Sequence, residues 1–116
     1  MRLVAAVALL GALLGCAQPG EEKYKMTDAQ LGLTAEQARG RRVYNARCLH
    51  CHESYTAEKR RSVSLKGVFS KPVLPSGMPA NDERIADVVI HGRRMMPPTP
   101  LSDDELKALI AYLHTL

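Results

Sequence analysis

The stretch Cys48-Leu49-His50-Cys51-His52 decides the fold that we predict for this chain of 116 residues. If it forms one helical turn, Cys48, Cys51 and His52 stand at i, i+3 and i+4, and their side chains leave the same face. Two thiols can then bond to the edge of a flat cofactor while the imidazole reaches a metal at its centre. Because the C-x-x-C-H pattern is typical of covalent haem attachment, the sequence predicts one haem c at this site.

Two other kinds of site share part of this pattern. A C-x-x-C pair can be a thiol-disulfide redox centre, but that motif follows a buried strand, and a polar, arginine-rich stretch precedes Cys48 here. It can also be half of a zinc site, which His50, His52 and His91 would have to complete in an unusual mixture of ligands. A denaturing gel stained for covalent haem separates both alternatives from the haem prediction.

The composition favours a cofactor at the centre of a small domain. The chain contains no Trp and only one Phe, Phe69, so few aromatic side chains are available to fill a core. A large flat cofactor would supply the missing volume, and small domains usually need such a staple. A formal net charge of +4 is too mild to indicate nucleic acid binding by itself. The sequence contains no glycine-rich phosphate loop, no paired catalytic carboxylates and no hydrolase triad pattern.

The amino terminus resembles a bacterial lipoprotein signal. Arg2 is followed by an almost unbroken apolar run over residues 3–14, which matches an export signal and is too short for a comfortable transmembrane span. Leu13-Leu14-Gly15-Cys16 is similar to the site at which such signals are cleaved before a cysteine that then carries lipid. We therefore predict a lipid anchor on Cys16; an ordinary signal peptide and an uncleaved anchor are the alternatives.

These features divide the chain into three parts. Residues 1–15 form the predicted signal peptide, residues 16–33 the lipidated cysteine with a flexible tether, and residues 34–116 the haem domain. Pro19-Gly20 and the charged residues that follow have a low potential for packing. Residues 17–33 would reach at most roughly 56 Å when fully extended, at about 3.3 Å per residue. We therefore expect the domain to move through a volume above a membrane surface.

Three helices are predicted in the haem domain, and no segment alternates like a strand. The first and third begin at the capping boxes Thr34-Ala35-Glu36-Gln37 and Ser102-Asp103-Asp104-Glu105. The second is opened by Asn81-Asp82-Glu83, whose acidic first turn suits the positive end of the helix dipole. The long loop between the first two helices needs a scaffold to wrap, and its apolar side chains Leu65, Val68 and Phe69 are expected to fold back over the cofactor. The predicted fold class is all-α.

Iron held by one imidazole needs a second axial ligand or leaves an open site. The candidates are Met96, Met95, Met78, His91, His114 and His50. Met96 precedes a proline and should lie in an extended segment, where its thioether can point inward. Met78 also precedes a proline but lies at the start of the second helix, and Met95 lacks the proline restraint. The sequence therefore favours Met96, with Met78 as the second choice.

Taken together, these residues resemble a class I cytochrome c over most of residues 34–116. The matching stretches are Cys48, Cys51 and His52, then Leu65-Lys66-Gly67-Val68-Phe69, and Met96-Pro97-Pro98 ahead of Leu109-Ile110-Ala111-Tyr112-Leu113. The resemblance implies about three main helices wrapped around one covalently attached haem. It implies that this haem is attached to the chain outside the cytoplasm. It also implies that Gly40 and Tyr44 in the first helix pack against Leu109 and Tyr112 in the last.

One stretch departs from that family. In much of the family, a proline near the start of the loop after the motif offers its backbone carbonyl to the axial histidine. This chain has Ser62-Val63-Ser64 at the matching place. Since such a bond orients the ring and sets its basicity, another carbonyl, such as that of Val63, would have to take this role.

A metal with both axial positions filled predicts one-electron transfer rather than catalysis. The expected protein is a membrane-tethered electron carrier on the periplasmic side, in a respiratory or related redox chain. The alternative is a haem enzyme or gas sensor, which would need a labile sixth ligand. Basic side chains that could steer the protein towards an acidic redox partner are Arg39, Arg41, Arg42, Arg47, Lys59, Arg60, Arg61, Lys66, Lys71, Arg93 and Arg94.

Overall fold

Three α-helices form the domain in a computed structural model that describes residues 15 and 17–116. They are α1 (Ala35–Arg47), α2 (Asp82–His91) and α3 (Asp103–Leu113), with 3₁₀ turns at Glu21–Lys25 and Val68–Ser70. The described residues contain no strand beyond two isolated bridges. The all-α prediction is therefore confirmed, whereas the predicted signal segment up to residue 14 and the predicted lipidation site Cys16 lie outside the described residues.

All three helices begin at the residues that the sequence predicts, and each has a side-chain cap. The Thr34 hydroxyl accepts a hydrogen bond from the Gln37 backbone N–H at 3.2 Å, and the Gln37 side chain accepts one from the Thr34 N–H at 2.9 Å. Ser102 and Glu105 form the same reciprocal box at the start of α3. The Asn81 side chain accepts from a backbone N–H in the first turn of α2 at 2.8 Å. Each cap contributes about 1 kcal/mol by satisfying N–H groups that the helix leaves unpaired.

The first and last helices touch through a glycine and two tyrosines. A Cβ atom placed on Gly40 would lie 1.9 Å from the carbonyl oxygen of Ala108 and 2.8 Å from Cβ of Tyr112. Tyr44 and Tyr112 are fully buried, and their ring centroids lie 5.4 Å apart at an interplanar angle of 64°. The predicted packing of α1 on Tyr112 is confirmed, with Ala108 rather than Leu109 meeting the glycine.

We expect the two buried phenols to make the fold labile to alkali. Burial raises the pKa of both Tyr44 and Tyr112 above the usual value near 10. Above pH 10 the unfolded chain releases these protons while the folded chain keeps them. Below pH 10 these two groups should therefore not affect how the free energy of unfolding depends on pH. Above pH 10 the free energy of unfolding should fall by up to about 1.4 kcal/mol per pH unit for each phenol. Urea unfolding between about pH 8 and pH 11 measures this slope.

The matched variant for this prediction is Tyr112→Phe, which removes one of the two phenols. Its unfolding free energy should fall with about half the slope above pH 10, because one fewer proton separates the folded and unfolded chains. A variant with the same slope as the unaltered chain would contradict the assignment.

Two neighbouring side chains in the loop before α2, those of Val68 and Phe69, pack against different parts of the domain. Val68 is buried in the core, whereas the ring of Phe69 stacks on the imidazole of His114, with centroids 3.8 Å apart and planes 11° from parallel. The same imidazole lies with Nε2 2.7 Å from a carboxylate oxygen of Asp82, in the first turn of α2. The expectation that Phe69 folds over the cofactor is therefore not met, because its ring joins the carboxyl end of α3 to the loop.

The segment before α1 packs on the domain, although the sequence predicts a flexible tether there. Gly20 adopts a φ of 92°, and a Cβ atom at this position would lie 2.2 Å from the backbone oxygen of Tyr55. The Tyr24 ring packs edge-on against the Tyr55 ring at 5.0 Å, and Arg41 of α1 donates to a carboxylate oxygen of Asp28 at 2.9 Å. We call residues 20–33 the strap.

The strap docks because it carries apolar side chains that the domain can cover. Tyr24, Leu31 and Leu33 are partly buried against the core, among otherwise polar neighbours. Burying such side chains is favourable by roughly 1.5–3 kcal/mol each when it is complete. Ala17 to Pro19 are exposed, so the part of the described tether that lies clear of the domain is short.

Candidate haem site

The cysteine motif continues α1 as one helical turn. The Cys48 carbonyl accepts hydrogen bonds from the backbone N–H of Cys51 at 3.1 Å and of His52 at 2.9 Å, and the Cys48 N–H still bonds to Tyr44 at 2.8 Å. The buried Tyr44 hydroxyl donates to the His52 carbonyl at 2.7 Å. Tyr44 of α1 thus fixes the backbone of His52 at the end of the turn. Cys48, Cys51 and His52 lie on one helical turn with the predicted i, i+3, i+4 spacing.

A cavity of about 640 Å³ lies beside this turn and is bounded by the loop, α2 and α3. Cys48, His52 and Met96 all contribute to its wall. The rest of the wall is largely apolar, and its main apolar side chains are Leu65, Val68, Ile85, Val89, Leu109 and Leu113. A large apolar cavity with a few polar or metal-binding groups is the usual form of a cofactor site.

The imidazole of His52 is oriented by a backbone carbonyl. Its Nδ1 donates to the carbonyl oxygen of Val63 at 2.7 Å, which leaves Nε2 as the nitrogen available to a metal. A hydrogen bond of this kind fixes the ring and raises the basicity of the ligand. Val63 therefore supplies the carbonyl for which the sequence offers no proline.

Met96 is the member of the six-residue candidate set that lines the cavity. Its neighbour Met95 is 98% exposed, and Met78 contributes its backbone to a turn, where its carbonyl accepts from Leu74 at 2.8 Å. Of the histidines, His91 lies 3.1 Å from the carboxylate of Asp87, His114 lies against Asp82, and His50 is exposed. The structure thus brings one methionine and one histidine to the same cavity.

Backbone hydrogen bonds hold the Met96 segment on both sides. Arg93 and Met96 form a reciprocal pair, with N···O distances of 3.0 and 2.9 Å, and the Thr99 N–H donates to Val89 of α2 at 2.8 Å. Arg94, at the tip of the tight turn, has a φ of 53°, a conformation that is strained for a residue with a side chain. The thioether is therefore presented from a fixed loop rather than from a mobile one.

Gly92 lets this loop lie close to the end of α2. It has a φ of 73°, and an added Cβ would lie 2.6 Å from the Met96 carbonyl oxygen and 2.8 Å from the Pro98 nitrogen. We expect Gly92→Ala to lower the free energy of unfolding by about 1–3 kcal/mol and to weaken the absorption band that reports sulfur bound to ferric iron, because the clash displaces Met96. Urea unfolding and a ferric spectrum measure the two effects.

Gly77→Ala is the matched control for that prediction. Gly77 also has a positive φ, 81°, but a Cβ there would meet nothing within 4 Å. It should incur the backbone strain alone and keep the band. Equal losses of the band in both variants would show that the contact with the Met96 segment is unimportant.

The Cys48 thiol does not lie in the environment of a reactive redox thiol. Cys48 and Cys51 are both half-buried and free of disulfide bonds. Burial, and secondarily the neighbouring Cys51, raises the pKa of the Cys48 thiol to about 11. Thiol-disulfide centres depend on a lowered thiol pKa. The environment of Cys48 thus suits a thiol that is consumed by attachment rather than one that exchanges electrons.

The role of three further residues beside the site escaped the sequence analysis. Glu53 directly follows the motif and is buried, with Tyr24 and Arg60 as its hydrogen-bond partners. A signal for this existed in the composition, because the chain has only four Tyr and one of them lies in the polar segment before α1. An aromatic side chain in so sparse a set is rarely left in a tether.

The residues present fit a haem with iron at its centre. They offer two thiols at the attachment spacing, of which that of Cys48 lines the cavity, together with one oriented imidazole nitrogen, one thioether and an apolar wall. These are the groups that hold c-type haem.

Comparison with known proteins shows the family to which the chain belongs. No curated protein matches the chain. The family model described as cytochrome c oxidase, cbb3-type, subunit III matches residues 35–113, which is more than half of the chain. The match runs from the first residue of α1 to the last residue of α3, so it takes in the motif, the cavity and all three helices. The chain belongs to this family and is a class I c-type cytochrome, a haem-based electron carrier with covalently bound haem c.

Proposed function

We propose that the protein carries single electrons in a respiratory or related redox chain, with His52 and Met96 as the axial ligands of iron. In this proposal Cys48 and Cys51 form the thioether bonds to the haem. The observation that carries it is the shared cavity: His52 comes from the end of α1 and Met96 from the loop between α2 and α3, yet both line one apolar space together with Cys48.

The haem supplies a metal that changes its charge by one, and the chain controls how easily it does so. The Val63 carbonyl keeps the His52 ring in one orientation and raises its basicity. The thioether of Met96 favours ferrous iron and raises the potential relative to a second histidine. Apolar side chains such as Leu109, 1% exposed, exclude water from the cavity. With both axial positions filled, no substrate needs to bind the metal.

A redox titration combined with carbon monoxide binding tests this function. The purified protein should take up one electron per haem, and its reduced form should bind carbon monoxide slowly at neutral pH because Met96 occupies the sixth position. Rapid binding would instead favour a haem enzyme or gas sensor with a labile sixth ligand.

We further propose that the partner docks at the mouth of the cavity. Lys71, Arg93 and Arg94 are exposed and line the cavity, so three positive charges surround its opening. Two exposed apolar side chains, Val63 and Val73 at 38% and 48% exposure, line the cavity as well. An apolar patch within a positive rim suits an acidic redox protein.

The charge of this rim should control the rate of electron exchange. With hexacyanoferrate(III), an anionic oxidant, Lys71→Glu should slow oxidation of the reduced protein about ten-fold at low salt, and added salt should reduce the difference. With a cationic cobalt(III) complex the same change should speed oxidation. Stopped-flow absorbance measures both rates.

Lys59→Glu is the matched control for the rim. Lys59 is exposed, and its replacement by glutamate changes the net charge by the same amount as Lys71→Glu. Lys59 does not line the cavity. Its effect on either oxidant should be less than two-fold. If the two variants behave alike, the overall charge steers the reaction and the proposed docking face is wrong.

An exported location on the periplasmic side accords with the cytochrome c domain, and we propose that a lipid on Cys16 holds it at the membrane. No helix among the described residues is long and apolar enough to cross a bilayer. The docked strap makes such an anchor short, because four residue steps from Cys16 to Gly20 reach at most roughly 13 Å when fully extended, at about 3.3 Å per residue. The domain would then stay near the membrane rather than move widely above it.

Mass spectrometry of the mature protein tests the anchor. The amino-terminal peptide should begin at Cys16 and carry acyl chains, and Cys16→Ser should release the haem protein into the periplasmic fraction. A mature chain that begins after residue 16 would contradict the lipid anchor.

A further inference from the structure

A buried carboxylate lies next to the proposed axial ligand. Glu53 directly follows His52 and is 8% exposed. The Tyr24 hydroxyl donates to one of its carboxylate oxygens, and Arg60 Nε donates to the other at 2.6 Å. A charge removed from water is costly unless it is paired and hydrogen-bonded, so both partners are needed to keep Glu53 in place. We call Tyr24, Glu53 and Arg60 the clasp.

The clasp ties the strap to the backbone that follows the histidine. Besides donating to Glu53, the Tyr24 oxygen accepts hydrogen bonds from the backbone N–H of Ser54 at 3.1 Å and of Tyr55 at 3.3 Å. A single phenol from the strap therefore satisfies three groups on residues 53–55. Without it, two buried N–H groups and one carboxylate oxygen would lose their partner, and each such loss costs about 1–3 kcal/mol.

Arg60 of the clasp is connected by backbone hydrogen bonds to the segment whose carbonyl orients His52. Arg60 Nη1 donates to the Leu49 carbonyl at 3.2 Å, and the Arg60 N–H donates to the Ser62 carbonyl at 3.2 Å. The Ser62 N–H in turn donates to the Cys51 carbonyl at 2.9 Å. The next residue is Val63, whose carbonyl accepts from His52 Nδ1.

The stretch around Val63 depends on these hydrogen bonds for its rigidity. Ser62-Val63-Ser64 contains no proline that would fix its backbone dihedral angles. The Ser64 hydroxyl lies 2.5 Å from the Thr56 carbonyl and 3.3 Å from that of Glu53, and the Leu65 N–H donates to Glu53 at 2.8 Å. Glu53 therefore holds this stretch through both its side chain and its backbone.

We propose that the clasp residues are positioning residues, which set the reduction potential by holding the Val63 carbonyl on His52 Nδ1. This inference rests on the proposed ligation of iron by His52. A firm hydrogen bond to Nδ1 makes the imidazole more basic and favours ferric iron, so loosening the clasp should raise the potential. In this arrangement the segment ahead of the haem domain tunes the cofactor without touching it.

Tyr24→Phe is the direct test, because it removes one hydroxyl and changes no charge. In the full-length holoprotein we expect the ratio of oxidised to reduced protein at a fixed applied potential to fall about three-fold, which is about 28 mV at 59 mV per tenfold change. The His52 Nδ1 proton should also exchange with solvent at least about ten-fold faster, as measured by NMR of protein with ¹⁵N-labelled histidine.

Leu31→Ala is the matched control, since it loosens the strap without touching the clasp. It should lower the free energy of unfolding but leave the potential and the proton exchange unchanged. If Tyr24→Phe behaves in the same way, the clasp is merely structural and the proposal fails. If Tyr24→Phe does not fold, Arg60→Lys serves instead, because it keeps the charge but cannot reach both Glu53 and Leu49, and it should raise the potential as well.

The ferric spectrum of the protein distinguishes a failure of the clasp proposal from a failure of the proposed ligation by His52 and Met96. If ferric protein shows the sulfur-bound band but neither Tyr24→Phe nor Arg60→Lys shifts the potential, the clasp proposal is overturned and the His52 and Met96 ligation stands. If His52→Ala leaves that spectrum unchanged, His52 is not a ligand, and both proposals are overturned.

Discussion

Met96→Ala is expected to abolish the weak far-red absorption band of sulfur-bound ferric iron and to lower the reduction potential by on the order of a tenth of a volt or more, within the roughly 0.8 V range that axial ligands span. The physical reason is the loss of the soft thioether, which favours ferrous iron. Reduced Met96→Ala should also bind carbon monoxide rapidly, since the sixth position is then open. An optical spectrum and a redox titration measure these effects.

Two methionine variants serve as controls for this prediction. Met95→Ala changes the same residue type one position earlier, where the side chain is 98% exposed, and should leave both the band and the potential unchanged. Met78→Ala removes the second choice for the ligand, which does not line the cavity. If the band disappears in Met78→Ala and persists in Met96→Ala, the proposed ligand is wrong.

Gly40→Ala is expected to cause a large loss of stability, about 3 kcal/mol or more in the free energy of unfolding. Inside a helix the substitution alone would stabilise the chain by about 1 kcal/mol. Here the new methyl group would lie 1.9 Å from the Ala108 carbonyl oxygen, so α1 must move away from α3. Since α1 leads into Cys48 and α3 carries Leu109, the same movement opens the cavity and should lower the yield of protein with covalent haem.

Urea unfolding of the purified protein and a gel stained for covalent haem measure the two effects. Arg39→Ala, at the exposed position immediately before Gly40, is the control, because it places the same methyl group on the outer face of the helix. It should change the unfolding free energy by less than about 0.5 kcal/mol. If Gly40→Ala has an equally small effect, the close approach of the two helices is not a source of stability.

The features that sequence reasoning located correctly depend on residues that are neighbours in the chain. The capping boxes at Thr34 and Ser102 each close within four residues, so their hydrogen bonds can be predicted without knowing the fold. The helical turn of the cysteine motif is equally local, since it extends from Cys48 to His52. In the same way Pro97 restricts the backbone of Met96 directly.

The features that sequence reasoning misplaced depend on contacts between distant parts of the chain. Phe69 was expected over the cofactor, yet it stacks on His114, which lies 114 − 69 = 45 positions later in the chain. Residues 16–33 were expected to form a flexible tether, yet Tyr24 reaches across 29 positions to bond Glu53. Composition does not predict which distant residues will be in contact, because a polar segment with one aromatic residue can either pack on the domain or stay flexible.

The sequence by itself determined the all-α class, the first residues of the helices and the attachment motif, because each follows from hydrogen bonds and side-chain spacing within one or two turns. Only the tertiary structure decided that the Val63 carbonyl orients His52, that Met96 rather than another methionine lines the cavity, and that the strap bonds to Glu53. These contacts join segments that meet only after the helices have packed, and local propensity carries no information about which of many polar groups will be adjacent then.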